Sequence, residues 1–198
     1  SLAELSQLLW AGNGRQVDAV SGPTRTAPSA GALYPQELFV FAGNVEELEA
    51  GVYRYDVGSH SLEPVAGGDR RDALAAAALG QRFIAEAPAV VLIALVPSRS
   101  EAKYGKRGSD QYAYIDGGAT MENIFLQATA LDLATVTVGA FDDGEVRRLI
   151  EAGDRIGIES ETRYEWSVLD VATLLTGVVL VPVYPSFSAS QSAYVLED

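Results

Sequence analysis

Residues 25–35 read RTAPSAGALYP, and the apolar segment LFVF at 38–41 follows them almost directly. Because proline fixes φ and glycine permits unusual values of φ, we expect a specially shaped backbone between Pro28 and Gly31. The small side chains at 29–32 would let a flat molecule approach that backbone closely. Arg25 supplies a permanent cation suited to a phosphate or a polarised carbonyl. The alternative interpretation is a tight loop that feeds a strand, with small residues for packing.

The composition is that of an ordinary globular domain, with 48% hydrophobic and 21% charged residues among 198, and we predict a single domain over 1–198. The chain carries 27 acidic residues against 14 lysines and arginines, a formal charge of −13, which argues against nucleic acid or an anionic membrane as the main partner. It contains no cysteine and no apolar run of the ~18 residues that a membrane span requires. We therefore expect a cytoplasmic protein without disulfides or a cysteine nucleophile.

Hydrophobic periodicity and strand propensity predict the elements of the first half of the chain. These are a helix over 2–11 capped by Ser1, a polar loop over 16–24, a buried strand over 38–42, a hairpin over 52–56 and 62–65, and an alanine-rich helix over 69–79.

The second half is predicted in the same way. We expect a central strand over 89–96, a charged loop over 97–109, a long helix over 112–131, a second core strand over 134–138, a helix over 144–152 that Asp142 or Asp143 caps, a third core strand over 176–184, and a polar tail over 185–198. The long helix is apolar around so much of its circumference that we expect it in a core or a subunit interface.

No catalytic constellation stands out from residue types alone. His60 is the only histidine and lies in a predicted turn, so we expect an exposed turn residue rather than a triad or metal ligand. Asp142 and Asp143 are compatible with general acid–base chemistry or metal binding, but their place before a helix favours helix caps. No Walker A or G-x-G-x-x-G sequence is present, so neither a P-loop nor a Rossmann unit is supported.

Four stretches, in order, resemble the SagB-type dehydrogenases, a branch of the FMN-dependent nitroreductase superfamily. They are RTAPSAGALYP with the following ELFVF, GVYRYD at 51–56, RGSDQYAYIDGGATMEN at 107–123, and VGAFDDGEVRRL at 138–149. Together they cover roughly residues 5–150. The resemblance implies an α+β nitroreductase-like fold, in which helices wrap a mostly antiparallel central sheet, and a homodimer with flavin in its interface.

The resemblance also implies which residues contact FMN. The Pro-Ser segment would lie against the flavin ring, which assigns this role to Ala27, Pro28, Ser29 and Ala30, with a hydrogen bond from Ser29. Backbone contacts to the other edge of the ring would come from Thr137, Val138, Gly139 and Ala140. These amides would tune flavin reduction, which is a protein's main contribution in a cofactor enzyme. Arg25 is the candidate for an ionic contact with FMN.

Two family features bear on catalysis and cofactor affinity. Azoline-oxidising members carry a Lys-Tyr or Arg-Tyr pair for proton abstraction, and we match these positions to Gln111 and Tyr112. Glutamine is no base, which weakens peptide azoline oxidation, but Tyr112 could donate a proton and is our candidate catalytic residue. The family's upstream Arg-x-Ser-x-Arg segment, which binds the flavin phosphate, would precede Ser1, so phosphate binding would rest on Arg25 and a basic patch over 103–107.

We therefore expect an FMN-dependent oxidoreductase that passes hydride through flavin N5, with NAD(P)H or a substrate C–H as donor and a small molecule or peptide as substrate. The tail at 185–198 would extend onto the partner subunit. The alternative is a catalytically degenerate flavin carrier or a partner subunit of a peptide-modifying complex. A binding domain for small molecules without flavin is a third hypothesis, which only the acidic surface supports.

Overall fold

A four-stranded antiparallel sheet is the framework of the N-terminal part of the chain. The computed structural model describes residues 1–18, 20, 22–151, 155–159 and 179–183. The strands of the sheet lie in the order β5-β4-β3-β6, and their bounds are β3, Gln36–Ala42; β4, Gly51–Asp56; β5, Ser61–Gly67; and β6, Ala89–Leu95. The first two strands of the described chain, β1 (Arg15–Asp18) and β2 (Gly22–Arg25), form a separate antiparallel hairpin.

Helices and irregular segments connect the strands. The helices are α1, Leu2–Asn13; α2, Arg71–Ala77; α3, Phe83–Glu86; α4, Pro97–Tyr104; α5, Ala113–Ala130; and α6, Asp143–Ile150. A short 3-10 turn spans Ala30–Ala32, and a π-helical segment, Gly108–Tyr112, runs directly into α5. Within the described residues, no helix is both long and apolar enough to cross a membrane.

Two compact units divide the chain, Ser1–Asp142 and Asp143–Asp198. In the second unit, α6 is followed by the parallel pair β7 (Arg155–Glu159) and β8 (Val179–Val183). The rest of 176–184 and the tail at 185–198 lie outside the described residues. The expectation of a single domain over 1–198 stays a prediction.

The core of the first unit forms where β3 meets α1. Leu5 and Leu9 of α1 pack with Leu38, Val40 and Tyr55 in one buried cluster. Burying such side chains contributes about 1.5–3 kcal/mol each relative to exposure. The core therefore fixes β3, and with it the loop that immediately precedes this strand.

Two glycines let α5 approach its neighbours closely. A Cβ at Gly12 of α1 would lie 2.9 Å from the side chain of Ile124, and one at Gly117 would lie 3.1 Å from Leu95. These positions therefore allow α5 to pack tightly against α1 on one side and β6 on the other. The buried face of α5 consists of Ala113, Asp116, Gly117, Thr120, Ile124 and Ala128.

Most long predicted elements are confirmed. Helix α1 begins after Ser1, whose hydroxyl accepts a hydrogen bond from the Glu4 amide at 3.5 Å, and α5 agrees with the predicted long helix within one residue. The β4–β5 hairpin, the alanine-rich α2 and the antiparallel character of the sheet also agree with expectation. The α+β class with an antiparallel sheet is therefore confirmed.

Four predictions of local structure are wrong. The polar loop at 16–24 is largely the β1–β2 hairpin, and the charged loop at 97–109 contains α4, which Pro97 begins at a position that needs no N–H. Residues 134–138 are irregular rather than a core strand, and they are largely exposed. Strand β6 was expected in the centre, but it is at one edge of the four-stranded sheet and its residues are half-buried. These last two corrections are related, because no described strand pairs with the free edge of β6.

Candidate functional site

The segment Pro28–Pro35 has an unusual backbone. Gly31, Ala32 and Tyr34 have positive φ values of 65°, 56° and 46°. Positive φ is unfavourable for alanine and tyrosine, so contacts from the surrounding structure must hold this conformation. The sequence predicted a special conformation here. The structure places it at 31–34, slightly further along the chain than the Pro28–Gly31 stretch that we expected.

A buried carboxylate holds the loop against α5. Asp116 is only 4% exposed and accepts a hydrogen bond from the Ser29 hydroxyl at 2.5 Å. The Ala30 amide lies 3.2 Å from both Asp116 oxygens, and Ser29 Oγ accepts the Tyr34 amide at 2.8 Å. Hydrogen bonds to a charged group are about twice as strong as neutral ones, and they offset the cost of burying the carboxylate. This bonding commits the Ser29 proton to Asp116, so Ser29 retains only acceptor capacity towards a ligand.

A second polar contact ties the start of the loop to both helices. Asn123 of α5 donates through Nδ2 to the carbonyl of Thr26 at 3.2 Å. The Thr26 hydroxyl in turn donates to the Trp10 carbonyl of α1 at 2.9 Å, and the Thr26 amide donates to Gly14. The loop is therefore bound to α5 at two points, at Thr26, two residues before Pro28, and at Ser29 and Ala30 within the predicted Pro-Ser contact.

Two side chains of α4 cover Gly31. A Cβ built on Gly31 would lie 2.5 Å from the Tyr104 hydroxyl and 2.8 Å from Lys103 Nζ, so the ends of both side chains reach the loop at this glycine, whose positive φ also favours glycine. The Tyr104 hydroxyl makes no hydrogen bond to another described residue, and Lys103 forms no ion pair among them. Both groups are thus free to interact with a ligand that lies on the loop.

Tyr112, the predicted catalytic residue, lies in the same neighbourhood. Its ring packs edge-on against that of Tyr104, with the centroids 5.1 Å apart, and its hydroxyl accepts a hydrogen bond from Arg107 Nε at 3.0 Å. It belongs to the π-helical segment 108–112, a type of distortion that is frequent at functional sites. Gly108 permits this geometry, because a Cβ there would lie 2.3 Å from the Ser100 carbonyl oxygen.

The other predicted cofactor residues occupy different surroundings. Ala27 is fully buried, so the exposed loop surface consists of Pro28, Gly31 and Ala32, with Ser29 and Ala30 half-buried. In the predicted segment 137–140, Thr137 donates to Met121 of α5 at 3.1 Å, and the Ala140 carbonyl accepts from Gln81 at 3.1 Å. Val138 is half-buried and Gly139 exposed. Arg25 lines a cleft together with Asn13, Tyr34 and Gln36.

The loop surface fits a planar cofactor. Its exposed residues have no side chain larger than a proline ring, and the Asp116 clamp fixes its shape, which together allow close contact with a flat ring. Among the described residues there is no group of three or more histidine or acidic side chains that could hold a metal ion. His60 is exposed in its turn as expected, with hydrogen bonds to Tyr55 and Ser6.

Sequence reasoning missed two residues of this site, Asp116 and Tyr104, and it named Lys103 only as part of a basic patch for the flavin phosphate. A signal for Asp116 was present, because it is a lone acidic residue on the otherwise apolar face of the long helix, with Ala113, Gly117 and Thr120. A buried charge of this kind requires partners. The approach of α4 to Gly31 depends on tertiary packing and had no comparable local signal.

Comparisons with known proteins agree with this geometry. The family model described as "Nitroreductase family" matches residues 1–157. A protein of Methanocaldococcus jannaschii assigned by name to the nitroreductases is 42% identical over 151 residues, which are 76% of this chain and 74% of that protein.

Solved structures give the same result. A crystal structure from Anabaena variabilis, titled as a nitroreductase, superimposes with a TM-score of 0.67 and 28% identity over 75% of this chain and 31% of its own. A chain of the E. coli microcin synthetase McbBCD complex with truncated pro-MccB17 bound superimposes with a TM-score of 0.62 and 26% identity, over 75% of this chain and 57% of its own. The protein therefore spans a third to three fifths of these two chains.

A short similarity of another kind is also present. Over 49 residues, a quarter of this chain, the sequence is 53% identical to the long-chain-fatty-acid–CoA ligase FadD15 of Mycobacterium bovis. The match covers 8% of the ligase, so it defines neither the fold nor the function of the whole chain.

We predict that Asp116→Asn lowers the free energy of unfolding by about 1–2 kcal/mol, because neutral hydrogen bonds replace charge-assisted ones. Urea unfolding measures the loss, and hydrogen exchange at the Ala30 amide reports on the clamp directly. That amide should exchange faster in the variant. Asp132→Asn, at an exposed position after α5, is the matched control and should change neither quantity. Equal effects of the two substitutions, or unaltered exchange at Ala30, would contradict the role given to Asp116.

Proposed function

Because the chain belongs to the nitroreductase family, a family of oxidoreductases, we propose that it binds FMN against the loop Pro28–Ala32 and transfers hydride between a reduced donor and an acceptor. The observation that carries this proposal is the Asp116 clamp, which fixes a surface of small residues beside two uncommitted polar side chains of α4. When bound, FMN supplies the redox chemistry by accepting and releasing hydride at N5. The reaction therefore needs no nucleophile from the protein.

We propose that residues of three segments contact and position the cofactor. We propose that Ser29 and Ala30 line one side of the ring, held in place by Asp116, and that Ala27 supports them from below. Thr137, Val138, Gly139 and Ala140 are proposed for the opposite edge through their backbone groups, as the family resemblance implies. Arg25 remains the proposed contact for an anionic part of the cofactor.

Two tyrosines are proposed to handle protons at the substrate side. Tyr104 is the better placed, because its hydroxyl lies over Gly31 and has no described hydrogen-bond partner, while Lys103 brings a cation beside it. The Tyr112 hydroxyl oxygen accepts a hydrogen bond from Arg107, so the hydroxyl proton of Tyr112 remains available for transfer. Positioned proton transfer of this kind contributes roughly 10²–10⁴-fold to a rate.

For the branch of the family, we propose the SagB-like one, with NAD(P)H or a substrate C–H as the donor. The similarity to a chain of the McbBCD synthetase, whose title names bound truncated pro-MccB17, supports this placement. A peptide substrate is the second candidate beside a small molecule. The same similarity favours one rival, a degenerate flavin-binding subunit of a peptide-modifying complex. Such a subunit would bind flavin without accepting hydride from a nicotinamide.

We also propose a homodimer, on the basis of α5. The helix buries one face but exposes Tyr114, Ile115 and Leu126 by 63%, 65% and 61% of their surfaces. Several large apolar side chains exposed along one helix are compatible with a protein interface. A second copy of the chain is the proposed occupant, in agreement with the flavin-containing interface that the family resemblance implies.

The proposal is tested by the visible absorption spectrum of the protein purified without added cofactor, followed by anaerobic addition of NADH or NADPH. We expect a flavin spectrum, released FMN rather than FAD, and bleaching on reduction. A colourless protein that does not take up FMN would exclude the flavoenzyme. If neither NADH nor NADPH reduces the bound flavin, two hypotheses remain: a degenerate subunit, or an enzyme whose donor is a substrate C–H. Reduction of the flavin by a candidate substrate would then distinguish them.

We predict that Tyr104→Phe lowers kcat by roughly a hundredfold with flavin content unchanged, since it removes a proton donor but keeps the ring. Stopped-flow reduction and reoxidation of the flavin measure the two half-reactions separately. The control Tyr53→Phe removes a hydroxyl that donates to the Glu49 carbonyl, away from the loop and from α5, and it should leave both rates as they are. If Tyr112→Phe alone slows the reaction, the proton donor is Tyr112 and the assignment to Tyr104 fails.

We predict that Ile115→Glu converts the dimer into a monomer, because a buried carboxylate without a partner would destabilise an apolar interface. Sedimentation velocity at several protein concentrations measures the effect. Leu79→Glu introduces the same charge at a site that is 75% exposed and outside α5, and it should leave the dimer intact. A wild-type chain that sediments as a monomer at all concentrations would refute the proposed interface.

A further inference from the structure

A cleft of about 350 Å³ opens at the end of the sheet where β3 begins and β4 ends. Its volume lies at the lower end of the range for small-molecule pockets. Its lining includes three arginines, Arg25, Arg54 and Arg99, but only two carboxylates, Glu37 and Asp56. In a chain with a formal charge of −13, this local excess of positive charge is unusual.

Each lining carboxylate already has partners. Glu37 forms an ion pair with Arg99, and Asp56 accepts hydrogen bonds from the amides of Gly58 and Ser59 and from the Ser59 hydroxyl. These bonds, above all the one from the Ser59 hydroxyl, lower the pKa of Asp56. Glu37 is therefore paired with a cation, whereas Asp56 is held by neutral donors and keeps its negative charge.

Of the three arginines, two are also committed. Arg99 binds Glu37, and Arg54 binds Glu63 through two nitrogens at 2.7 and 3.1 Å. Arg25 instead stacks on the Tyr34 ring, 4.6 Å from its centroid, and donates one hydrogen bond to Asn13 Oδ1 at 3.1 Å. No described carboxylate lies within ion-pair distance of Arg25. A guanidinium carries five N–H donors in a fork, so most of its capacity remains unused.

Burial makes this lone cation unfavourable without an anion. Arg25 is half-buried, and desolvation lowers the pKa of its guanidinium, with the nearby Arg99 adding to the effect. A half-buried charge without a counter-charge costs free energy that a bound anion would recover. The cleft therefore favours a ligand of negative charge.

Two buried polar side chains, Asn13 and Gln36, line the cleft beside Arg25, and one of their acceptor atoms is unpaired. Asn13 is 0% and Gln36 1% exposed. The Asn13 side chain accepts from Arg25 through Oδ1 and donates through Nδ2 to the backbone carbonyl of Gln36 at 3.2 Å. Gln36 Oε1 has no hydrogen-bond partner among the described residues. Buried polar atoms are nearly always paired in folded proteins, so this acceptor requires a hydrogen-bond donor, and it does not itself contact an anion.

From these observations we propose that the cleft around Arg25 is an anion-binding subsite, which holds a phosphate or a carboxylate of a small molecule. The forked guanidinium presents paired donors to the planar or tetrahedral oxygens of such a group. Two sources share this chemistry, the phosphate of the cofactor and a separate anionic molecule. The inference deepens the proposed function, which already gives Arg25 the contact with an anionic part of the cofactor, and it rests on that function where the bound group is the cofactor's phosphate. It adds the rest of the cleft lining and a separate anionic molecule as the second source.

The subsite is coupled to the loop through Tyr34. The Arg25 guanidinium stacks on the Tyr34 ring. The backbone carbonyl of Tyr34 accepts a hydrogen bond from Arg99 at 3.2 Å, and the backbone amide of Tyr34 donates to Ser29 Oγ, which is bonded to Asp116. An anion that orders Arg25 would therefore also order the residue that ends the loop. Occupancy of the cleft and ligand binding on the loop should reinforce each other.

The test is a titration of the full chain, labelled with ¹⁵N, with inorganic phosphate and separately with acetate, at an ionic strength held constant with sodium chloride. We expect saturable shifts at the amides of Tyr34 and Gln36 for at least one of the two probes. In Arg25→Gln the affinity should fall about tenfold or more, since the charge-assisted bonds are lost. Arg82→Gln removes an exposed cation that pairs with Glu86 outside the cleft, and it should bind like the wild type.

Unchanged affinity in Arg25→Gln, or no saturable binding of either probe to the wild type, would overturn the proposal. Arg25→Lys covers the case that Arg25→Gln does not fold, because it keeps the charge without the fork and should weaken binding to a lesser extent. Adding FMN or riboflavin then separates the sources. Displacement of phosphate by FMN but not by riboflavin assigns the subsite to the cofactor's phosphate, and retention of phosphate beside FMN assigns it to a separate molecule. The flavin spectrum is read independently, so failure of the subsite is distinguishable from failure of the proposed function.

Discussion

The buried carboxylate of Asp116 is the interaction on which the loop at 28–35 depends. It brings a full negative charge to the inner face of α5, where the neighbouring positions are alanine, glycine, threonine and isoleucine. Removing such a charge from water is costly unless donors compensate it. The Ser29 hydroxyl and the Ala30 amide are these donors, so the helix and the loop each satisfy a requirement of the other. This mutual dependence lets the chain hold residues 31–34 in a conformation that local energetics disfavour.

The segment 28–35 contributes to both the loop surface and the arginine-lined cleft. On one side, the small surface from Pro28 to Ala32 faces the region that Tyr104 and Lys103 border. On the other, the ring and carbonyl of Tyr34 support the arginines of the cleft. Positive φ at Tyr34 is part of this arrangement, since it accompanies an amide bonded to Ser29 and a ring that lies under Arg25. One strained turn thus serves both the loop surface and the cleft.

The sequence predicted those features that local patterns determine. Leu5 and Leu9 on one helical face, the alternating hairpin of β4 and β5, and the long α5 all follow from periodicity and propensity within a single segment. The errors arose where the decision was made elsewhere in the chain. Residues 134–138 have the composition of a strand, but a strand needs a neighbour with free hydrogen-bonding groups, and the sequence does not reveal whether one is in place. The β1–β2 hairpin was missed for the converse reason, because its polar strands pair without an apolar pattern.

The site residues were also predicted only in part, because the positions of its charges depend on the tertiary structure. Motifs located the Pro-Ser loop and Tyr112, but they could not indicate that Lys103 and Arg25 approach the segment 28–35 from two sides without carboxylate partners of their own among the described residues. The net charge of −13 describes the protein at a distance, whereas the potential near a loop is set by the few charges within a Debye length, about 8 Å at physiological salt. At that range the loop is close to two cations without ion pairs and to the Asp116 carboxylate, whose charge the Ser29 and Ala30 donors compensate. An acidic protein can therefore attract an anionic ligand to one place.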